Sequence, residues 1–87
     1  MLRIEVVEAT RDRTTLLLEG DLVGPWVAVL ERTWREALAR STTVRLDLTG
    51  VGYIGRKGLD LIRRLADQRL AIVNCQPFVA LQLRGSP

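Results

Sequence analysis

The sequence predicts one α/β domain with the element order β-β-α-β-α-β-α, a mixed sheet of about four strands with helices on one face. Three observations lead to this fold class. Two segments near the N-terminus alternate apolar and polar residues across a polar turn. Two later segments repeat apolar residues at helical spacing, and each precedes a strand-length apolar segment. We expect residues 1–87 to form a single domain whose last few residues, Gly85 to Pro87, are frayed.

The first two strands are predicted from about Leu2 to Ala9 and from Thr14 to Gly20, with a polar turn between them. Alternation with a period of two indicates a hairpin with one buried face. The residues expected on the buried face are Leu2, Ile4, Val6, Leu16 and Leu18. The other sheet face carries Val7 and Leu17 among charged residues. We expect this face to meet water or a partner, and a homodimer formed through it stays open.

Two amphipathic helices are predicted. The first opens at Gly24-Pro25, because proline suits the first helical position, and ends at Ser41-Thr42. The second runs from about Lys57 to Arg69. Their apolar stripes are Val27, Leu30, Trp34 and Leu38 in the first helix and Leu59, Ile62, Leu65 and Ala66 in the second.

The remaining elements complete the order. Residues Val44 to Leu48 alternate cleanly and form the third strand, and a loop from Thr49 to Gly55 follows. The apolar run from Leu70 to Asn74 predicts a central strand covered on both faces and parallel to the third. Pro77 opens a last short helix. The residues expected to pack from it onto the core are Phe78, Leu81 and Leu83.

Composition excludes several classes of protein. The net charge is +3, but acidic and basic residues are mixed along the chain, as in the i, i+4 pair Glu31/Arg35. The sequence has no basic stripe with interleaved aromatic residues, so nucleic-acid binding is not favoured. No apolar run reaches the roughly 18 residues that span a bilayer, and the start has no signal-peptide pattern. The single Cys75 excludes an internal disulfide. We therefore expect a cytoplasmic protein without membrane insertion.

Residue types that carry catalysis are scarce. The chain has no histidine, so the commonest general base is absent. Neither Ser41 nor Ser86 lies in a nucleophile motif, and one cysteine without histidine cannot build the usual zinc sites. We predict that the protein is not an enzyme and uses neither a cofactor nor a metal.

Residues Gly50 to Gly55 match the dinucleotide-binding pattern G-x-G-x-x-G after a strand and before a helix. The acidic residue expected some 20 positions later falls near Asn74 or Cys75, and neither is a carboxylate. The pattern also begins too late in the chain, and the helix begins after its third glycine. Nucleotide-phosphate binding is therefore the weaker interpretation.

The segment from Leu46 to Leu59 resembles the STAS domain of bacterial anti-sigma-factor antagonists. In that family a strand ends Leu-Asp-Leu-Ser-Gly-Val, and Asp-Ser-Ser-Gly-Leu opens the next helix. Upstream, Leu18 to Leu22 is similar to the family's Gly-Glu-Leu-Asp. The resemblance spans roughly residues 14 to 84 with the same element order. It implies a STAS-like fold and a regulatory role in bacterial signalling and transcription regulation, through protein–protein interaction.

This chain departs from the family pattern at four positions. The family's phosphorylated serine is replaced by Lys57, the preceding serine by Arg56 and the aspartate by Gly55. Val23 stands where the family has the last aspartate of Gly-Glu-Leu-Asp, at the partner surface. No phosphoacceptor is carried over. The resemblance thus implies a non-phosphorylatable module, binding an anti-sigma-factor kinase-like protein, a phosphatase or another signalling protein.

We predict that the partner binds at the loop and the N-terminus of the second helix. The candidate partner- or anion-binding residues are Asp21, Val23, Tyr53, Gly55, Arg56, Lys57 and Gly58. Two interpretations of the cations stay open: their side chains turn into water, or they join the free N–H groups from Gly55 to Gly58 in an anion site.

Two other functions stay open. Some STAS proteins are small accessory subunits of membrane lipid or ABC transporters, which makes that role an alternative. A nucleic-acid binder would use Arg56, Lys57, Arg63 and Arg64.

Overall fold

The computed structural model describes residues 1–84, which form seven elements in the predicted order. These are β1 (Leu2–Ala9), β2 (Arg13–Leu22), α1 (Trp26–Leu38), β3 (Thr43–Ile54), α2 (Arg56–Ala66), β4 (Leu70–Cys75) and α3 (Pro77–Arg84). The sheet order is β1-β2-β3-β4; β1 is antiparallel to β2, and the other two pairings are parallel. The predicted α/β class and mixed sheet are confirmed. The predicted frayed tail, residues 85–87, lies outside the described residues.

The core lies between one face of the sheet and the helices. Alternate residues of β2 and β3, such as Leu16 and Leu46, are completely buried there. Every helix contributes to the same cluster, with Trp34 from α1, Ile62 from α2 and Val79 from α3. The helices therefore cover one face, as predicted, because the apolar side of each strand and of each helix must be removed from water together.

β4 is an edge strand, so the predicted central strand covered on both faces is wrong. Only Leu70 is fully buried in it, and Ala71 and Asn74 are exposed. The hairpin partner β1 occupies the far side of β2, and the helical crossover brings β4 to the outer side of β3. An apolar run reveals the length of a strand but not its place in the sheet.

Val6 lies on the predicted face but is less buried than expected. It pairs with Leu16, whose side chain is in the core, so the two residues share one face of the sheet. The register between β1 and β2 then shifts between Val6 and Glu8, which is a β-bulge. Near this end of β1, Val6 and Val7 are about half exposed, at 48% and 50%.

The prediction for the third helix is right for Leu83 and wrong for Phe78 and Leu81. Phe78 and Leu81 are exposed, whereas Val79 is buried and Leu83 is partly buried against the core. Val79 and Leu83 are four residues apart and therefore share one side of the helix. Phe78 and Leu81 lie away from that side.

The second helix is shorter than predicted and begins one residue earlier, at Arg56. It ends at Ala66, and Arg69 adopts a left-handed conformation with φ 64° before β4. Its core residues include Leu61 in place of the exposed Ala66. Glu31 of α1 accepts from Arg35 at 2.8 Å and lies 3.6 Å from Arg64 of α2.

Candidate functional site

The predicted loop after the third strand is the end of the strand itself. β3 continues to Ile54 and pairs with β2 along this stretch. The β2–β3 register shifts twice, and the buried residues Leu48, Val51 and Ile54 are three apart instead of two. These irregularities remove the alternation on which strand prediction depends. The loop from Thr49 to Gly55 was therefore a wrong prediction.

The glycine pattern has no loop in which to hold a phosphate. Gly50 and Gly52 lie within β3, and only Gly55 stands at the start of the helix. The dinucleotide pattern requires its glycines in the turn between strand and helix, where the backbone approaches the pyrophosphate. The spacing G-x-G-x-x-G therefore does not correspond to a phosphate-binding turn in this chain.

The ends of β2 and β3 bring the predicted site residues together. Asp21 pairs with Tyr53 in the sheet register. The Gly55 N–H donates to the Leu22 carbonyl oxygen at 2.9 Å, which ties the start of α2 to the end of β2. A Cβ on Gly55 would lie 3.2 Å from the Val23 Cγ1. We call Asp21, Val23, Tyr53, Gly55, Arg56 and Lys57 the sheet-end surface.

Gly58, also a predicted site residue, is buried beneath this surface. A Cβ there would lie 2.9 Å from both the Leu22 Cγ and the Ile54 Cγ2, and 3.0 Å from the Leu22 carbonyl oxygen. Glycine therefore allows the first turn of α2 to approach β2 closely. The residue supports the surface from inside the protein.

The N-terminus of α2 carries positive charge without a counter-charge. Gly55 provides no side-chain cap, and the first turn holds no acidic residue. Arg56 and Lys57 are exposed and form no ion pair with any residue in 1–84. The backbone N–H groups of Arg56, Lys57 and Gly58 have no partner in that part of the chain. The Gly55 N–H is already bonded, so the predicted anion site has one donor fewer.

An aromatic pair borders the sheet-end surface. The rings of Tyr53 and Phe78 are stacked, with centroids 6.4 Å apart and planes inclined by 19°. Their side chains are 46% and 55% exposed, and Leu81, three residues further along α3, is 61% exposed. We call Tyr53, Phe78 and Leu81 the aromatic patch. The sequence analysis assigned two of its members, Phe78 and Leu81, to the core.

Two glutamines hold α3 against the free edge of β3. Pairing between β3 and β4 ends at Leu48. Beyond it, the Gln82 amide accepts from the Ile54 N–H at 3.0 Å and donates to the Ile54 carbonyl oxygen at 2.7 Å. Gln76 donates to the Thr49 carbonyl oxygen at 2.8 Å. The side chains of Gln76 and Gln82 thus make the hydrogen bonds that a neighbouring strand would make. No sequence pattern predicted these bonds.

Asp47 organises the sheet face beside Thr49. One of its carboxylate oxygens accepts from the Thr49 hydroxyl at 2.6 Å and from the Thr49 N–H at 3.0 Å, and the other accepts from Asn74 at 3.3 Å. The bonds from Thr49, and then that from Asn74, stabilise the charged carboxylate and lower the pKa of Asp47.

Several charges on the sheet face opposite the helices, the open sheet face, are paired with one another. Arg3 lies 3.6 Å from both Glu5 and Glu19. Arg13 donates to Glu8 at 2.9 Å and, with Thr15, lowers the pKa of Glu8. At the sheet-end surface, by contrast, neither Arg56 nor Lys57 forms an ion pair within residues 1–84.

The other arginines predicted for a nucleic-acid binder are engaged within the protein. Arg63 donates to the Gln82 carbonyl oxygen at 3.2 Å, and Arg64 lies 3.6 Å from Glu31. Arg64 therefore lies beside an acidic residue, and the side chain of Arg63 is held against α3.

Residues 1–84 contain no group of three or more histidine, cysteine, aspartate or glutamate residues placed to hold a metal ion. No helix in this part of the chain combines the length and the apolar character needed to cross a bilayer.

Comparison with protein-family profiles and with curated proteins gives no match. Among solved structures, the anti-sigma factor antagonist SpoIIAA in its unphosphorylated form matches with a TM-score of 0.71 and 16% identity, over 98% of this chain and 84% of that protein. The native form of Mglu in the presence of 4.3 M NaCl matches with a TM-score of 0.53 and 22% identity, over 86% of this chain and 26% of that protein. These matches concern the fold, and the first confirms the predicted STAS-like fold.

Proposed function

We propose that this chain is a non-catalytic regulatory module of the anti-sigma-factor-antagonist type, which binds a signalling protein through the sheet-end surface without serine phosphorylation. The observation that carries the proposal is Lys57, which is exposed and unpaired at the start of α2. The resemblance puts the family's phosphorylated serine at this position. A permanent cation there cannot be switched by a kinase.

The hydroxyl groups near the site support the same conclusion. Ser41, the one serine among residues 1–84, is 5% exposed and its hydroxyl is hydrogen-bonded to that of Thr14 at 2.7 Å. The Thr49 hydroxyl donates to Asp47 at 2.6 Å, beside a negative charge that would repel an added phosphate. Neither group replaces the lost acceptor.

The charge at α2 indicates the chemistry of the partner. Cations in the first turn of a helix are unfavourable by about 0.3–1 kcal/mol each at low ionic strength. An acidic surface on a partner removes this penalty when it binds, and the free N–H groups of the first turn also favour an anion. A histidine-kinase-like anti-sigma factor, a phosphatase or another cytoplasmic signalling protein is the proposed partner.

The experiment is affinity capture from cells that make the protein, followed by mass spectrometry, with three forms as bait. These are the wild type, Arg56→Ser/Lys57→Ser, and the control Arg11→Ser/Arg32→Ser, which removes two exposed cations elsewhere. We expect the wild type and the control to retain a signalling protein and the first variant to lose it. Equal capture by all three forms would contradict the proposal.

Phosphorylation is tested with the same partner. Incubation of the captured kinase-like protein, ATP and the wild-type chain is expected to yield no phosphoprotein. Phosphate on Thr49 or on a serine would overturn the constitutive mode of binding. Capture of a transporter ATPase subunit would instead identify the accessory-subunit role.

A further inference from the structure

We propose that the partner docks an acidic amphipathic helix across the aromatic patch and the two cations at the start of α2. This inference rests on the proposed function and adds the chemistry of the segment that binds. The docked helix would place apolar side chains on Tyr53, Phe78 and Leu81 and carboxylates beside Arg56 and Lys57.

Exposure singles out the aromatic patch. Three of the large apolar residues exposed in the described part of the chain lie in it, and Phe78 and Leu81 share one side of α3. The other three are Met1 at the chain start and the adjacent Val6 and Val7 at the edge of the sheet. The rings of Tyr53 and Phe78 support each other at 6.4 Å, so a partner meets a surface that is already formed.

Charge defines the other half of the docking surface. Tyr53 precedes Arg56 by only three residues, so the start of α2, with its two cations, follows the patch closely along the chain. Nearby arginines are not available, because Arg63 is bonded to α3 and Arg64 lies beside Glu31. Charge complementarity therefore calls for acidic residues next to the apolar ones.

The edge of β3 indicates that the docking segment is a helix. An extended peptide adds to a sheet through free backbone groups of an edge strand. Here the N–H and the carbonyl of Ile54 are bonded to Gln82, and the Thr49 carbonyl accepts from Gln76. With these groups bonded, the structure favours a partner that binds through side chains, as an amphipathic helix does on an apolar surface.

Single-stranded nucleic acid fits the surface less well. It needs a cationic groove and several stacking rings, whereas this surface includes the aliphatic Leu81.

The test uses the whole chain, labelled with nitrogen-15, and a synthetic helical peptide with leucine and phenylalanine on one face flanked by glutamates. We expect amide shifts confined to residues 53–57 and 78–82. A peptide with lysine in place of glutamate should show apparent binding at least about tenfold weaker, and so should one with serine in place of the apolar residues. Equal binding of all three peptides, or shifts centred on β1, would overturn the inference.

Variants separate the two halves of the surface. Phe78→Ser/Leu81→Ser should weaken peptide binding at least about tenfold, whereas the matched control Val6→Ser/Val7→Ser should leave it unchanged. Since all four side chains are about half exposed or more, both variants should fold, and thermal unfolding checks this. Equal weakening by both variants contradicts the proposal.

Further measurements distinguish the acidic helix from other ligands, and this inference from the proposed function on which it rests. Tighter binding of phosphatidylglycerol vesicles or of a single-stranded DNA oligonucleotide than of the acidic peptide would overturn the inference in favour of a lipid or nucleic-acid surface. Partner capture could depend on Arg56 and Lys57 and yet be unchanged in Phe78→Ser/Leu81→Ser. That result would support the proposed function and refute only the docking of a helix on the aromatic patch.

Discussion

The side-chain amide of Gln82 makes two hydrogen bonds to the backbone of Ile54, one to its N–H at 3.0 Å and one to its carbonyl oxygen at 2.7 Å. A neighbouring strand normally makes such bonds in a sheet. Through them α3 closes the edge of β3 that β4 leaves open, and it carries Phe78 to Tyr53. One glutamine therefore completes the sheet and positions the aromatic patch.

Replacing Gln82 with leucine should destabilise the protein by about 1–3 kcal/mol, because the partly buried Ile54 groups would lose their partners. Chemical denaturation measures the change, and hydrogen exchange of the Ile54 amide should accelerate. The control is Gln68→Leu, which removes a solvent-exposed amide whose only bond is a 3.5 Å contact with the Arg64 carbonyl oxygen. It should cost less than about 0.5 kcal/mol. Equal losses would contradict the role given to Gln82.

Gly58→Ala should destabilise the protein by about 1–3 kcal/mol, because the new methyl group would overlap the Leu22 and Ile54 side chains and the Leu22 backbone. The matched control is Gly52→Ala, whose methyl group would meet only the Asp21 carboxylate at 3.8 Å. Thermal unfolding of both variants gives the comparison. A smaller loss for Gly58→Ala than for the control would refute the close packing of α2 on β2.

Asp47 should make stability depend on pH in the acid range. Hydrogen bonds from Thr49 lower its folded-state pKa below the unfolded value of about 3.9. Its contribution is therefore fully present above the unfolded pKa and is lost as the pH falls through the folded one. Asp47→Asn should flatten the fall of unfolding free energy below about pH 4. A pH profile identical to that of the wild type would exclude this role.

Arg56→Ser/Lys57→Ser should raise the unfolding free energy by about 0.3–1 kcal/mol per cation at low salt, because cations oppose the dipole of α2. The gain should shrink as salt screens the charges. The control Arg11→Ser/Arg32→Ser lies away from any helix N-terminus and should give no gain. A loss of stability in the first variant would mean that the two side chains stabilise the fold instead of serving a partner.

Periodicity predicted most of the fold. The alternation at Leu16 and Leu18 and the helical spacing at Leu30 and Trp34 each report one buried face, and all four residues are buried. The element order and the parallel pairing of β3 with β4 followed from them. Patterns failed after Leu48, where register shifts interrupt the alternation of β3, because a pattern method assumes a regular strand.

The candidate site was predicted only in part. Motif resemblance located Tyr53, Arg56 and Lys57, and the fold brings them to one end of the sheet with Asp21. Phe78 was assigned to the core, since a short helix with apolar residues on two sides does not reveal which side is buried. The bonds of Gln82 are set by tertiary geometry, so no local pattern contains them.

The central claim is that a signalling protein binds the sheet-end surface of this chain without phosphorylation. Hydrogen-exchange mass spectrometry of the chain, free and bound to the captured partner, tests it most directly. The account predicts slower exchange in residues 53–58 of the unphosphorylated chain and no change in β1. Protection confined to β1 and the open sheet face, or binding that requires a phosphorylated chain, would contradict it.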